Sequence, residues 1–254
     1  MINLPVLEVK NLTIGYGDTV VLDKINFSVE NGEVFIIMGG SGCGKSTLLK
    51  NIIGLIPPFC GDILINGKSI ITVSKKEKQC ILRDIGVTFQ AGALFGSLSL
   101  GENISLLLEE YTDLNVSERK DVIHEKLRLV GLEEFVDFMP AEISGGMRKR
   151  AGLARAMSLD PKLLFFDEPS AGLDPISSAG LDRLILKLVK ETGSTVVVVT
   201  HELDSIFTIA DRAIVLNKKR KGIVASDNPH VLYKKTQNEW VKKFLARDGL
   251  GRQI

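Results

Sequence analysis

A glycine-rich segment at residues 39–46 constrains the fold of this chain more than any other part of its sequence. It fits the pattern G-x-x-x-x-G-K-S/T, a loop that follows a strand and opens a helix. Residues 33–38 are a continuous apolar run typical of a buried strand, and residues 47–55 can form the helix. The segment therefore predicts a strand, a phosphate-binding loop and a helix in that order.

The residue types of this loop predict contacts to the phosphates of a nucleoside triphosphate. Glycines let backbone N–H groups turn toward phosphate oxygens, and the helix N-terminus adds the positive end of its dipole. Lys45 supplies a full charge to the outer phosphates, and the hydroxyl of Ser46 can ligate Mg²⁺. The alternative is a glycine-rich turn with an exposed lysine. The candidate binding residues are Gly39, Gly40, Ser41, Gly42, Cys43, Gly44, Lys45 and Ser46.

Two adjacent acids, Asp167 and Glu168, follow a short apolar run at residues 163–166. Adjacent residues inside a strand face opposite sides, but at the strand's end the chain can turn both toward one ligand. Asp167 is predicted to hold Mg²⁺ through water, and Glu168 to orient and deprotonate the attacking water. The alternative is that the two acids only end the strand and cap the next element. A complete phosphate loop in the same chain disfavours this alternative.

His201 and Gln90 end two other apolar runs, at residues 196–200 and 85–89. We expect His201 to emerge at the same sheet edge and to sense the γ-phosphate or stabilise the transition state, although a lone histidine is usually structural. Gln90 offers an uncharged amide suited to water and metal. The predicted catalytic residues are Glu168, His201, Gln90 and Lys45, and the predicted metal ligands are Ser46, Gln90 and Asp167.

The hydropathy pattern predicts an α/β fold with a helical insertion. Alternation in the first 35 residues, in runs at 6–14, 20–22 and 25–29, is typical of strands, and residues 106–142 are mostly helical in pattern. The apolar runs at residues 163–167 and 196–200 enclose an amphipathic helix, which predicts a right-handed crossover in a parallel sheet. The apolar positions of that helix are Leu181, Leu184, Ile185 and Leu188.

Composition is that of an ordinary globular protein and excludes few functions. The 254 residues are 44% hydrophobic and 25% charged, with a net charge of +1, which gives no argument for nucleic acid. No apolar run approaches the roughly 20 residues that span a bilayer. The first residues lack the pattern of a signal peptide. The three cysteines fit neither a disulfide framework nor a zinc site, so we expect a soluble protein of a reducing compartment.

Residues 143–150, Ile-Ser-Gly-Gly-Met-Arg-Lys-Arg, resemble the signature of ATP-binding-cassette (ABC) ATPases. The resemblance implies ATP and Mg²⁺ as ligands and a P-loop NTPase (RecA-like) core with an N-terminal antiparallel β subdomain and an inserted α-helical subdomain. It implies an ATP-binding domain at 1–225, with the helical subdomain at about 91–157, and a C-terminal extension at 226–254. The family's motif order recurs at Tyr16, residues 39–47, Gln90, residues 144–147, Asp167, Glu168, residues 170–174 and His201.

The family also implies a head-to-tail dimer of two copies. In that dimer, the loop 39–46 and Thr47 of one copy hold the triphosphate, and Ser144, Gly145 and Gly146 of the other copy close over it. A hydroxyl, close backbone amides and a helix N-terminus form such an anion site. Tyr16 matches the aromatic position that stacks on adenine, although an ordinary strand tyrosine is the alternative.

Met147 stands where the signature usually has Gln, and this departure is similar to the ATPases of Mla/Mce-type lipid transporters. That resemblance implies phospholipid transport between inner and outer membranes through a separate integral membrane permease, with Mce-domain and STAS-type accessory proteins. It places the chain peripherally at the cytoplasmic face of the inner membrane. An ABC importer ATPase for another small solute stays open. A DNA- or ribosome-acting ATPase is disfavoured by the single cassette without heptad arms, and a scaffold without turnover by Glu168 and His201.

Three segments carry further expectations. Backbone amides and Lys45 are predicted to favour the thiolate of Cys43, so that a maleimide inactivates the protein and ATP protects it. The apolar side chains of residues 91–100 are predicted to be exposed and to receive a cytoplasmic helix of the permease. Residues 244–254 are predicted either to pack on their own domain or to reach a partner subunit. The apolar positions concerned are Leu94, Phe95, Leu98 and Leu100 in the first segment and Trp240, Val241, Phe244 and Leu245 near the tail.

Overall fold

Two β-sheets organise the chain in the computed structural model, which describes residues 4–90 and 92–246. The strands are β1 (Leu7–Tyr16), β2 (Thr19–Val29), β3 (Val34–Gly39), β4 (Cys60–Ile65), β5 (Lys68–Ser69), β6 (Ile85–Thr88), β7 (Leu163–Asp167), β8 (Thr195–Val199), β9 (Arg212–Asn217) and β10 (Gly222–Asp227). The helices are α1 (Lys45–Ile52), α2 (Lys75–Arg83), α3 (Leu100–Tyr111), α4 (Val116–Leu129), α5 (Gly145–Ala156), α6 (Pro175–Thr192), α7 (Leu203–Ile209), α8 (Pro229–Lys235) and α9 (Glu239–Leu245). In the described ranges, no helix combines the length and apolarity needed to cross a membrane.

The smaller sheet is antiparallel, in the order β2-β1-β4-β5. Its alternating residues bury one face against the main sheet, as the sequence pattern predicted. The two runs predicted at residues 20–22 and 25–29 form one long strand, β2, which pairs with β1 along its whole length. Register shifts in β1 keep the ladder paired across both runs.

The larger sheet has the order β10-β9-β3-β8-β7-β6 and is parallel except for the β9–β10 hairpin at one edge. Every residue of β3 and β8 is buried, which explains why both read as continuous apolar runs. The crossover predicted around residues 181–188 is α6, which joins the paired parallel strands β7 and β8. The carboxyl ends of β3, β6, β7 and β8 therefore lie at one edge of the sheet, where polar residues follow each strand.

Helices α3, α4 and α5, with two short 3₁₀ helices at Glu133–Phe135 and Pro140–Glu142, fill the chain between β6 and β7. Their apolar faces meet around Leu127 and Leu153 and join the core of the parallel sheet. Helix α2 was not predicted from the sequence, although Ser74 and Glu77 form a complete capping box at its start. The domain boundaries proposed for the insert and the C-terminal extension stay predictions.

The segment after Gln90 differs from its prediction. Leu100 is buried at 1% exposure, because it opens α3 and points into the helical core, so the prediction that it is exposed was wrong. Leu94 is half-buried against the same core, whereas Phe95 is 49% exposed. The buried side chain of Asn103 bonds both the N–H and the carbonyl of Phe95. Ala91 lies outside the described residues.

The apolar stripe near the carboxyl end packs on its own domain. Val241, Phe244 and Leu245 are buried and belong to the core that covers the parallel sheet. The alternative in which Phe244 and Leu245 reach a partner is therefore wrong, because a helix buries its apolar face against the nearest apolar surface. Residues 247–254, which the same hypothesis concerned, lie outside the described residues.

Candidate nucleotide and catalytic site

The phosphate loop takes the backbone conformation that its glycines predict. It follows β3 and ends where Lys45 begins α1. Gly42 and Gly44 have φ values of 67° and 103°, a left-handed region that other residues enter only with strain. Gly44 is the N-cap of α1, so the unpaired N–H groups of the first helical turn face the space above the loop. This concave row of donors fits phosphate oxygens.

The side chain of Lys45 is held in place by the backbone of the phosphate loop. Its Nζ donates to the carbonyl oxygen of Gly39 at 3.0 Å and lies 4.0 Å from Oε1 of Glu168. The side chain is only 10% exposed. A largely desolvated ammonium group with one backbone partner retains donors for an anionic ligand.

Glu168 and His201 meet at the edge of the sheet, as the strand ends predicted. Nδ1 of His201 lies 2.8 Å from Oε1 of Glu168, and because a carboxylate only accepts, Nδ1 is the donor. The other oxygen of Glu168, Oε2, is buried and has no hydrogen-bond partner in the described chain. Glu168 also has a φ of 48°, and its N–H bonds the carbonyl of Val199. A strained backbone thus places the carboxylate beside Lys45, with Oε1 bonded to His201 and Oε2 without a protein partner.

Asp167 and Ser46 lie side by side beneath the loop. The Ser46 hydroxyl donates to Oδ1 of Asp167 at 3.5 Å. Burial, and then the neighbouring charge of Glu168, raise the pKa of Asp167, and Ser46, Lys45 and Lys50 oppose the shift. The carboxylate is therefore short of positive charge, and a hydroxyl with one carboxylate is a donor set that Mg²⁺ uses together with phosphate oxygens. The residues present fit Mg²⁺.

The structure adds Lys149, which the sequence analysis did not single out, to this site. Lys149 lies on α5, and its Nζ donates to the carbonyl of Gln90 and, at 3.3 Å, to the carbonyl of Glu168. Burial lowers the pKa of Lys149, and the charges of Glu168 and Asp167 partly offset that effect. The sequence signal that could have indicated this role was a basic residue five positions after Ser144. In the structure, Lys149 links the signature helix to Gln90 and Glu168, two of the predicted catalytic residues.

Ser144, Gly145 and Tyr16 are exposed, and Gly146 is half-buried. Ser144 is the N-cap of α5, and its hydroxyl accepts from the N–H of Met147 at 3.2 Å. A Cβ at Gly146 would lie 3.7 Å from Oγ of Ser177, so this turn packs near the start of α6. Tyr16 ends β1 and is 50% exposed. These surfaces are accessible to a ligand or to a second chain.

Cys43 contradicts the expectation of a reactive thiolate. Its side chain is 2% exposed and lies in the core between β3 and the antiparallel sheet. Burial raises the pKa of the Cys43 thiol and outweighs the opposing effect of Lys45. The prediction of a favoured thiolate was wrong because the loop's donors face the ligand space, whereas this side chain faces the core. Its N–H bonds the carbonyl of Gly40.

We expect N-ethylmaleimide at pH 7 to label Cys60 and Cys80 well before Cys43. Cys60 and Cys80 are exposed, and only the ionised, accessible thiol reacts. Peptide mass spectrometry over a time course measures the three sites in one sample. Labelling of Cys43 as fast as the two exposed cysteines would contradict its burial, and the Cys43→Ser variant controls for peptide assignment.

Comparison with known proteins identifies the family. The family model described as ABC transporter matches residues 22–171. The phospholipid transport ATP-binding protein MlaF of Haemophilus influenzae is 41% identical over 98% of this chain and 93% of that protein. A probable ribonucleotide transport ATP-binding protein, mkl, of Mycobacterium leprae is 43% identical over 89% of this chain. This chain spans about two thirds of that mycobacterial protein, 67% of its length.

Two solved structures share the fold. CbiO1 from Clostridium perfringens, part of the cbiONQ transporter complex, superposes with a TM-score of 0.83 at 31% identity, covering 98% of this chain and 99% of that chain. The dimeric cassette MJ0796 in a post-hydrolysis state with ADP and phosphate gives a TM-score of 0.78 at 31% identity, covering 87% of this chain and 98% of that chain. The residues matched by the ABC transporter family model include the phosphate loop, the signature turn and the paired acids. The chain belongs to the ABC transporter family, as an ATP-binding cassette that hydrolyses ATP.

Proposed function

We propose that this chain energises phospholipid transport between inner and outer membranes through a separate permease. The observation that carries the proposal is the 41% identity to MlaF, an intermembrane phospholipid transport protein, over nearly the full length of both chains. A second MlaF, from Escherichia coli, is 37% identical over 96% of this chain. The cassette then works at the cytoplasmic face of the inner membrane, with Mce-domain and STAS-type proteins as accessory partners.

A second candidate function is supply of energy for import of another small solute. It is supported by the mkl proteins, which are named for ribonucleotide transport and are as similar to this chain as MlaF. Both candidates use the same ATP chemistry, so the nucleotide site does not distinguish them. The difference lies in the permease and its cargo.

The site supports one assignment of roles for hydrolysis. Backbone N–H groups of residues 42–47 and Nζ of Lys45 bind the phosphates, and Ser46, Gln90 and Asp167 hold Mg²⁺, which neutralises phosphate charge when bound. Glu168 orients the attacking water and takes its proton on its carboxylate. His201 holds one oxygen of that carboxylate in place.

Two copies of the chain complete each site in this proposal. The turn at Ser144, Gly145 and Gly146 presents a hydroxyl and backbone amides at the N-terminus of α5, an arrangement that suits the γ-phosphate held by the second copy. Tyr16 stacks on the adenine ring. The dimeric state of the related cassette MJ0796 supports this arrangement.

A groove suited to the permease lies beside the segment after Gln90. It encloses about 490 Å³ between α2, β6, α3 and α5. Arg155 and Tyr111 line it, and the guanidinium of Arg155 also lies 5.0 Å above the ring of Phe95. The lining mixes apolar side chains with polar and charged ones, a combination that suits an amphipathic helix. We propose this groove as the docking site of a cytoplasmic helix of the permease.

Phe95→Ala is expected to uncouple transport from ATP hydrolysis in the assembled complex while ATP binding stays near wild type. The ring is half exposed and contacts the groove through Arg155, so its loss removes a docking contact without opening a cavity in the core. Transport and ATPase rates of the purified complex measure the effect. Leu106→Ala is the matched control, because Leu106 is an exposed apolar residue of α3 outside the groove. A Phe95→Ala chain that unfolds would place Phe95 in the core and contradict the docking role.

Purification of the chain together with the permease encoded beside it in the genome, followed by lipid mass spectrometry, tests the proposed cargo. Phospholipid retained by the complex and moved in an ATP-dependent way between vesicles supports the proposal. The same complex carrying Glu168→Gln controls for passive exchange of lipid. A complex that retains no phospholipid, and whose ATPase rate rises with a soluble solute, supports the importer instead.

A further inference from the structure

The outer side of the phosphate loop is covered by the last described helix of the chain. A Cβ built on Gly40 would lie 3.8 Å from Cζ2 of Trp240, so the indole ring of α9 packs against the loop backbone at that residue. Trp240 is the only tryptophan of the chain and is 38% exposed. None of the roles assigned above to the nucleotide site uses it.

The loop backbone needs a packing contact at Gly40, because its glycine-rich sequence has few side chains that could hold it. Glycines at positions 39, 40, 42 and 44 leave the backbone with high conformational freedom. On the inner side the loop is held by the buried Cys43 and by the bond from Lys45 to the carbonyl of Gly39. On the outer side, the indole ring limits the positions that Gly40 can take.

Trp240 is itself firmly positioned. Its ring stacks on Phe244 with centroids 5.4 Å apart and an interplanar angle of 15°. Asn238 caps α9 by accepting from the N–H groups of Trp240 and Val241. Because Val241 and Phe244 are buried in the core of the parallel sheet, the indole is held by the body of the domain.

We propose that Trp240 is a positioning residue for the phosphate loop, which it holds in the binding conformation through Gly40. A loop that is ordered before the nucleotide arrives loses less conformational entropy on binding, so the contact raises ATP affinity. Glu168 and His201 follow other strands, β7 and β8, so the main effect is on ATP affinity and the chemical step changes little once ATP is bound. The inference concerns nucleotide binding and does not depend on which cargo the transporter moves.

The single tryptophan provides a direct test in the full chain. Because the indole lies against the loop that takes up the charged phosphates, titration with the Mg²⁺ complex of a non-hydrolysable ATP analogue is expected to change Trp240 emission even when the loop keeps its conformation, with the same midpoint as binding measured by equilibrium dialysis. The Lys45→Ala chain, which keeps Trp240, is expected to show no change at the same concentrations. Binding seen by dialysis without any change in emission would overturn the proposal and leave ATP binding intact.

Substitution then separates positioning from bulk stability. Trp240→Ala is expected to weaken analogue binding and raise the KM for ATP by about three- to tenfold, the effect of one lost aromatic contact, with kcat within about twofold. Trp240→Phe keeps an aromatic ring beside Gly40 and is expected to restore most of the affinity. Tyr233→Ala is the matched control, since this exposed aromatic on α8 contacts Phe207. Equal affinities for wild type, Trp240→Ala and Tyr233→Ala would overturn the proposal, as would equal losses in Trp240→Ala and Trp240→Phe.

Discussion

Glu168→Gln is expected to bind ATP with near wild-type affinity and to lose ATP hydrolysis by about 10²- to 10⁴-fold, the usual effect of removing a general base. The amide keeps the shape of the side chain and can still accept from Nδ1 of His201 at the position where the carboxylate does. It cannot take a proton from water, because an amide lacks the basicity of a carboxylate. Phosphate release at saturating ATP measures the loss.

The specificity of that result depends on two controls. Equilibrium dialysis establishes that the variant still binds nucleotide, so the loss lies in the chemical step. Glu191→Gln makes the same chemical change at an exposed position of α6 and is expected to hydrolyse ATP as wild type does. Turnover of Glu168→Gln within about tenfold of wild type would remove Glu168 from the role of base.

Lys45→Ala is expected to fail at the earlier step, nucleotide binding. Truncating one member of a desolvated charge pair typically costs about 2–5 kcal/mol, which corresponds to about 30-fold or more in Kd. The side chain is 10% exposed, and its protein hydrogen bond goes to the carbonyl of Gly39, so most of its bonding capacity is directed to the ligand. Dialysis with the non-hydrolysable analogue gives the affinity directly.

A matched lysine separates this local effect from a change in net charge. Lys76→Ala removes the same charge at an exposed position of α2, and its affinity for the analogue is expected to equal that of wild type. Melting temperatures establish that both variants remain folded. If Lys45→Ala bound the analogue with unchanged affinity, the phosphates would not be held by Lys45.

The parts of this protein that the sequence predicted well are those controlled by local physics. The phosphate loop requires glycines where the backbone enters the left-handed region, as at Gly42 and Gly44, and these glycines can be recognised in the amino-acid sequence. Buried parallel strands require continuous apolar runs, which marked β3 and β8. Parallel strands end at the same edge of a sheet, so the polar residues that follow them had to share that edge. Nδ1 of His201 does lie 2.8 Å from Oε1 of Glu168.

The parts that the sequence missed depend on which surfaces meet. Hydrophobic spacing marked Leu100 and the stripe with Phe244 as apolar, but it carries no information on whether a face covers its own core or a partner. Lys149 reaches Gln90 and Glu168 only because α5 packs behind both, across a separation of 59 residues in the first case. The direction of the Cys43 side chain was hidden for the same reason.

The sequence by itself therefore determined the identity of the nucleotide-binding loop, the strand ends that carry the acids and the signature turn, because each is a short segment with its own conformational requirement. Only the tertiary structure decided the strand order that puts β3 between β8 and β9, the burial of Cys43 and the contact of Trp240 with Gly40. Those features arise from the fit between faces of elements that are distant in the chain. Such fit depends on the shape of both surfaces at once, which the periodicity of one segment does not contain.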